Sequence, residues 1–234
     1  FMSNQSRRRF LLITGASIGI ACSGMAAAAP RSYKHSKRGV LLGANAEVQI
    51  YHDDKEAAEE ILQKCFEEVR RLESIFSLYD QQSDICKLNA HGRIESSPIE
   101  LVNLVKTSLE ISEFTDGSFD VTVQPLWDLY TDHYKSLRVK SGGPSQDDIK
   151  AALEAVNYKN ISVEQKTIRF KKQRMGITLN GIAQGYITDA VTQILSESGI
   201  SNMLVNMGEY RSIGTHPNGK NWQIGLADPE KPWS

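Results

Sequence analysis

The sequence has little of what marks special chemistry or a special medium. It holds 3 cysteines and 5 histidines, and His35, His52, His91, His133 and His216 are scattered along it. No His/Cys spacing fits a zinc or haem site. Acidic and basic residues nearly cancel, 28 against 27, for a formal charge of −1. That removes the electrostatic reason to expect nucleic acid or a membrane surface as partner. No apolar run makes a comfortable membrane span, so no direct transmembrane anchor is expected. Internal repeats, low-complexity tracts and heptads are missing too. What remains is 40% hydrophobic and 24% charged. This suits one large soluble domain, or a domain with an insertion, with a real core.

The first residues carry an address. Ser6-Arg7-Arg8-Arg9-Phe10-Leu11 precedes an apolar, small-residue run from Leu12 to Met25, then Ala26–Ala29. A basic region, an apolar region and a small-residue cleavage site make a secretory signal, and the paired arginines before Phe-Leu match the twin-arginine type. Residues 1–28 are therefore expected to be a signal peptide, residues 29–39 a flexible leader, and the mature protein to be periplasmic. Cys22 falls in the signal, leaving Cys65 and Cys86. An oxidising compartment would allow a disulfide between them, but their spacing does not demand one.

In the mature chain, the second half of Gly39–His52 alternates as a strand does. Asp53-Asp54 caps a helix from about Lys55 to Phe76 with a single apolar face. Further helices are expected at Ile85–Asn89, Ile99–Phe114 and Gln146–Val156, and strands at Ile161–Val163, Thr167–Phe170, Met203–Asn206 and Trp222–Leu226. Tyr130–Pro144 reads as a loop.

Two segments are denser in chemistry. In Asp116–Trp127, Phe119, Val121 and Val123 alternate, which places Asp120 and Thr122 on the opposite face. That pair could hydrogen-bond a ligand or satisfy local backbone. In Thr178–Asp189 (TLNGIAQGYITD) a strand end at Ile177–Leu179, an Asn-Gly turn and a helix start meet. Gly181 and Gly185 lie four apart, and a helix N-terminus offers N–H groups to an anion. By itself the segment reads as a phosphate-holding turn or as a packed strand–helix joint, and such joints are common. Tyr79 could offer an aromatic face to a ligand ring or pack on the core edge.

Four ordered stretches together resemble the ApbE-like FAD:protein FMN transferases. They are Ser74–Gly92, Asp116–Leu129 (DGSFDVTVQPLWDL), Thr178–Asp189, and Leu204–Pro229 with VNMGEYRSIG and WQIGLADP. The resemblance covers nearly all of the mature sequence. LNGIAQGY and VNMGE look most like the exported NosX-type branch that serves nitrous-oxide respiration.

The resemblance implies an α+β fold, T-fold-related, of β-sheets packed with helices over 40–234, with its C-terminal part missing. It implies FAD as substrate and Mg²⁺ as cofactor, with FMN transferred to a Thr or Ser hydroxyl of an acceptor protein and AMP released. The acceptor would be a flavoprotein subunit, of a membrane respiratory protein in the NosX setting. Position by position, Leu42, Tyr79, Ser118, Phe119, Asp120, Thr178 and Gln184 would contact FAD. The Gly181 carbonyl would reach the metal, whose side-chain ligands are expected beyond Ser234. The nucleophile belongs to the acceptor, so no catalytic side chain is assigned. Thr178 and Gln184 stand where many members have Asp and Lys, and Glu209 lies in a turn that is LGGD-like elsewhere. Two further readings stand beside transfer. One is a non-catalytic FAD-binding or flavin-delivery protein, and the other an assembly factor for a respiratory complex.

Overall fold

The computed structural model describes residues 32–41, 43–135 and 142–225. The expected signal, Leu42 and the segment from Leu226 onward lie outside the described residues.

The longest element is helix α1, Lys55–Phe76. Asp54 caps it by accepting a hydrogen bond from the Ala57 N–H at 3.0 Å. That bond also holds the Asp54 carboxyl below its ordinary pKa. Ala58, Ile61, Leu62, Cys65, Phe66, Val69, Leu72, Ile75 and Phe76 form its buried stripe. Each large side chain buried this way contributes roughly 1.5–3 kcal/mol relative to exposure. Burial pushes the Cys65 thiol up to about 12, so it packs as a small inert hydrophobe. Cys86 is a free thiol as well, and no disulfide joins the two.

Strand β1, Tyr33–Leu41, runs antiparallel to β2, Ala44–His52, with Leu41 opposite Ala44 across a turn at Gly43. This corrects the expected 29–39 leader, since its residues from Tyr33 onward are strand. β2 pairs with β6, Met203–Asn206, and β6 with β7, Tyr210–Ile213, giving the antiparallel order β1-β2-β6-β7. A second antiparallel sheet has the order β3-β5-β4, from Arg93–Ile94, Thr167–Phe170 and Ile161–Glu164. Residues 221–225 form no strand, contrary to expectation. Instead the Trp222 indole donates to the Ile213 carbonyl at 3.3 Å.

Helix α2, Asp84–His91, starts at the capping Ser83 and stops at left-handed Gly92. Helix α3 is Ile99–Phe114. The next stretch differs from the sequence reading. Val121–Val123 is a 3₁₀ turn, and α4 runs over Gln124–Lys135, where alternation suggested a strand and polarity a loop. Pro125 sits in the first turn of α4, where its missing N–H costs no hydrogen bond. Helices α5, Gln146–Leu153, and α6, Ala183–Glu197, complete the described elements.

One buried cluster joins α1, β2, α3, α6 and β6. The buried hydroxyls on its helices bond back along their own backbone. Ser108 donates to the Leu104 carbonyl and Ser112 to that of Ser108 on α3. Thr188 donates to Gln184 and Thr192 to Thr188 on α6. Helices packed against antiparallel sheets make an α+β architecture. No helix among the described residues is long and apolar enough to cross a membrane.

Candidate functional site

The chain enters α6 through a buried extended run, with Met175, Ile177 and Leu179 almost fully covered. No ladder pairs it, so the expected strand end at Ile177–Leu179 is not a strand. A side chain does the pairing instead. The Asn89 amide on α2 donates to the Ile177 carbonyl at 2.9 Å, and its oxygen accepts from the Ile177 N–H at 2.8 Å. The Thr178 N–H donates to the Val121 carbonyl at 2.8 Å, which ties this run to the Ser118–Val123 segment. The Thr178 hydroxyl accepts from the Asn180 N–H at 3.2 Å and so shapes the turn.

Helix α6 begins without a side-chain cap. The Ile182 and Ala183 N–H groups both donate to the Leu179 carbonyl. Helix geometry then leaves Gln184 and Gly185 as first-turn donors without an intrahelical acceptor. Beside them is a hollow of about 360 Å³, walled by Gly181, Gly185, Thr188, Asp189, Glu209 and Arg211. Phe119 closes in on Gly181, where an added Cβ would lie 3.6 Å from Cε2 of that ring. A Cβ at Gly185 would meet nothing within 4 Å, because it would project into the hollow.

Gln184 packs on the β6–β7 turn. A Cβ at Gly208 would come within 2.6 Å of the Gln184 amide, and Gly208 has φ +91°. The left-handed backbone is what calls for glycine here, since the Gln184 amide could swing aside. Across the hollow, Arg211 on β7 is ion-paired with Asp189 on α6. Arg211 lies within VNMGEYRSIG, a stretch that carries the family resemblance, but the sequence alone assigns it no role. Its signal was a lone cation two residues past a glycine–acid turn.

Other residues singled out from the sequence fall differently. Asp120 faces its own chain. Oδ1 accepts from the Thr122 N–H at 2.8 Å and the Thr122 hydroxyl at 2.6 Å, and Oδ2 accepts from the Tyr158 N–H at 3.0 Å. Asp120→Ala should therefore cost about 2–3 kcal/mol of stability, because three donors lose a charged acceptor. Chemical unfolding measures it, and an unchanged midpoint would make the carboxylate a ligand group first. Ser118 is exposed, and Phe119 is held by its own N–H donating to the Thr115 hydroxyl at 3.1 Å. Tyr79 is 73% exposed, with its ring 3.9 Å from where a Gly43 Cβ would sit. Leu42, beside it in sequence, lies outside the described residues. The structure thus brings Phe119, Thr178, Gly181 and Gln184 into one cluster. It sets Tyr79 at the β1–β2 turn and directs Asp120 toward Tyr158. One turn into α6, the Tyr186 ring meets Phe76 edge-on at 5.5 Å, and burial and then Glu100 raise its pKa. Among the described residues no three His, Cys, Asp or Glu side chains lie together as a metal site.

Residues 42–234 match the model of the ApbE family. This chain belongs to the ApbE family. It is 24% identical over 198 residues to an Escherichia coli K12 protein named FAD:protein FMN transferase, covering 82% of this chain and 56% of that one. A Klebsiella pneumoniae protein of the same name is 26% identical over 205 residues, covering 85% and 60%. The chain thus spans little more than half the length of these curated relatives. Among solved structures, the Pseudomonas stutzeri flavinyl transferase ApbE in its apo form superposes with TM-score 0.74 at 25% identity, covering 86% of this chain and 64% of that one. The ApbE protein of Thermotoga maritima gives 0.71 at 29%, covering 86% and 65%. The α+β architecture is that of ApbE flavin transferase structures.

Proposed function

We propose that this ApbE chain belongs to a flavin transferase that moves FMN from FAD to a Thr or Ser hydroxyl of an acceptor protein. The observation that carries this is the hollow at the start of α6, with Phe119 and Gly181 at one side and Arg211 at the other, in a chain matching the ApbE model. In the reaction the acceptor's hydroxyl oxygen bonds to the phosphorus of the FMN half. The P–O bond to AMP breaks, AMP leaves with that electron pair, and the hydroxyl proton is released. Such chemistry asks the protein mainly for positioning and charge neutralisation.

The residues suit that task. First-turn N–H groups at Gln184 and Gly185, with the positive end of α6, favour a pyrophosphate. Arg211 can offer a planar cation to the same oxygens. Phe119 and the exposed Tyr79 supply faces for a flavin or adenine ring. Gln184 and Thr178 carry an amide and a hydroxyl where many members have Lys and Asp, so neutral hydrogen bonds stand in for charged ones. Mg²⁺ would lower the negative charge on the pyrophosphate. Among the described residues the Gly181 carbonyl is the ligand that the family resemblance implies for it, and no cluster of His, Cys, Asp or Glu side chains stands beside it. The setting we infer is the periplasm, supported by Arg7-Arg8 and the apolar run after them. The acceptor is an exported flavoprotein subunit, of a nitrous-oxide respiratory system in the NosX-type reading.

The test incubates the purified protein with FAD, MgCl₂ and an exported flavoprotein subunit, followed by mass spectrometry. An FMN phosphoester on a Thr or Ser is expected. FAD bound without any adduct would overturn transfer in favour of flavin delivery, and no FAD binding would overturn the flavin reading itself.

A further inference from the structure

A second hollow, of about 620 Å³, lies beside the β3–β5 pair and the chain after β5. Its lining includes Arg93, Arg169, Lys171, Lys172 and Arg174, all exposed, and no Asp or Glu. In a protein of formal charge −1 this is a strong local concentration of one sign. It is also costly to keep. Arg93 and Arg169 are direct cross-strand partners in the β3–β5 register, where like charges destabilise a sheet. Glu95 pairs with Arg93, and the Lys171 ammonium donates to the Lys159 carbonyl at 3.1 Å. No ion pair is seen for Arg169, Lys172 or Arg174 among the described residues.

The shape favours an extended chain. The hollow shares Lys172, Gln173 and Arg174 with a second one of about 320 Å³ that reaches α5, whose wall also carries one carboxylate, Glu154. Of the rings in its lining, Phe170 is buried and the His91 imidazole is exposed, so the groove offers no row of aromatic faces for successive bases. Its lining includes Met175, three residues before Thr178, and Asn89, which clamps Ile177. Three extended residues span at most about 10 Å. A segment held here lies next to the chain that enters the α6 hollow.

We infer that this groove docks an acidic, extended polypeptide segment. On the flavin-transfer reading, on which only this last assignment rests, that segment belongs to the acceptor and flanks its modified Thr or Ser. Carboxylates along the segment would offset the Arg93–Arg169 repulsion and pair with the cations of the rim. Salt screening would weaken the contact, since every group involved is exposed.

The probe is a fluorescein-labelled oligoglutamate peptide, followed by fluorescence anisotropy with the whole protein. Binding at low salt is expected, falling as salt rises. It should drop at least tenfold in the combined variant Arg169→Glu, Lys172→Glu, Arg174→Glu. Lys64→Glu, Arg70→Glu, Lys106→Glu, which reverses three exposed cations on α1 and α3, should keep it. Circular dichroism and FAD binding should be the same in both variants, so the result does not depend on the flavin site. Equal loss in both variants would reduce the contact to bulk charge and overturn the proposal. An oligothymidylate bound as tightly as the peptide would overturn it in favour of a nucleic-acid surface, and no peptide binding at low salt would sink it.

Discussion

Asn89→Ala is expected to destabilise the protein by about 2–4 kcal/mol while leaving α2 intact, because two buried backbone groups lose their partner at once. Ile177 is fully covered, and its N–H and carbonyl both bond to the Asn89 amide rather than to a strand. Alanine suits a helix, so α2 itself is not weakened. The loss should appear as a lower denaturant midpoint with an unchanged slope. Asn89→Asp keeps the acceptor and removes the donor, so it should fall between wild type and alanine. A change below roughly 0.5 kcal/mol, the size of an ordinary surface substitution, would mean that the Ile177 run is held by its neighbours instead. The run carries Thr178 and leads into α6, so FAD binding should weaken together with stability.

Gly185→Leu is expected to do the opposite, keeping or raising stability while weakening ligand binding. Glycine inside a helix costs roughly 0.5–1 kcal/mol against a good helix former. Nothing within 4 Å opposes a Cβ at this position. The new side chain would occupy the hollow of about 360 Å³ at the start of α6. FAD affinity should fall more than about tenfold, a loss of at least ~1.4 kcal/mol, with the melting temperature unchanged or higher. Isothermal titration and thermal unfolding on the same preparation separate the two effects. Retained FAD affinity would move the nucleotide away from α6.

The elements most legible in the sequence were those whose burial is one-sided and whose caps are standard. The α1 stripe from Ala58 to Phe76, behind its Asp54 cap, is of this kind. Strand β1 was hidden because it is an edge strand bonded to β2 alone, and its basic, polar residues keep one face in water. Val121–Lys135 is poorly legible because Val121 and Val123 alternate around a 3₁₀ turn, and the polar stretch from Tyr130 onward suggests a loop although α4 runs on to Lys135. At the site, the glycine turn and helix start could be read from Asn180–Gly185. The clamp from Asn89 could not, since 88 residues separate it from Ile177 and no local pattern encodes it. The same holds for Gly208 against Gln184 and for the Asp189–Arg211 pair, which exist only once α6 and β7 are side by side. Asp120 shows the reverse limit. Its residue type suits a ligand contact, and only its three internal donors reveal what it holds.

The hydroxyls of Thr188, Thr192 and Ser196 each return their proton to a carbonyl of their own helix. To the neighbouring elements that face of α6 is therefore greasy rather than sticky, gripped by dispersion and shape instead of by directional bonds. Its directional tie is instead the Asp189–Arg211 pair across the hollow. Shape thus sets how deep α6 sits in the core, while one exposed ion pair spans the gap beside its first turn.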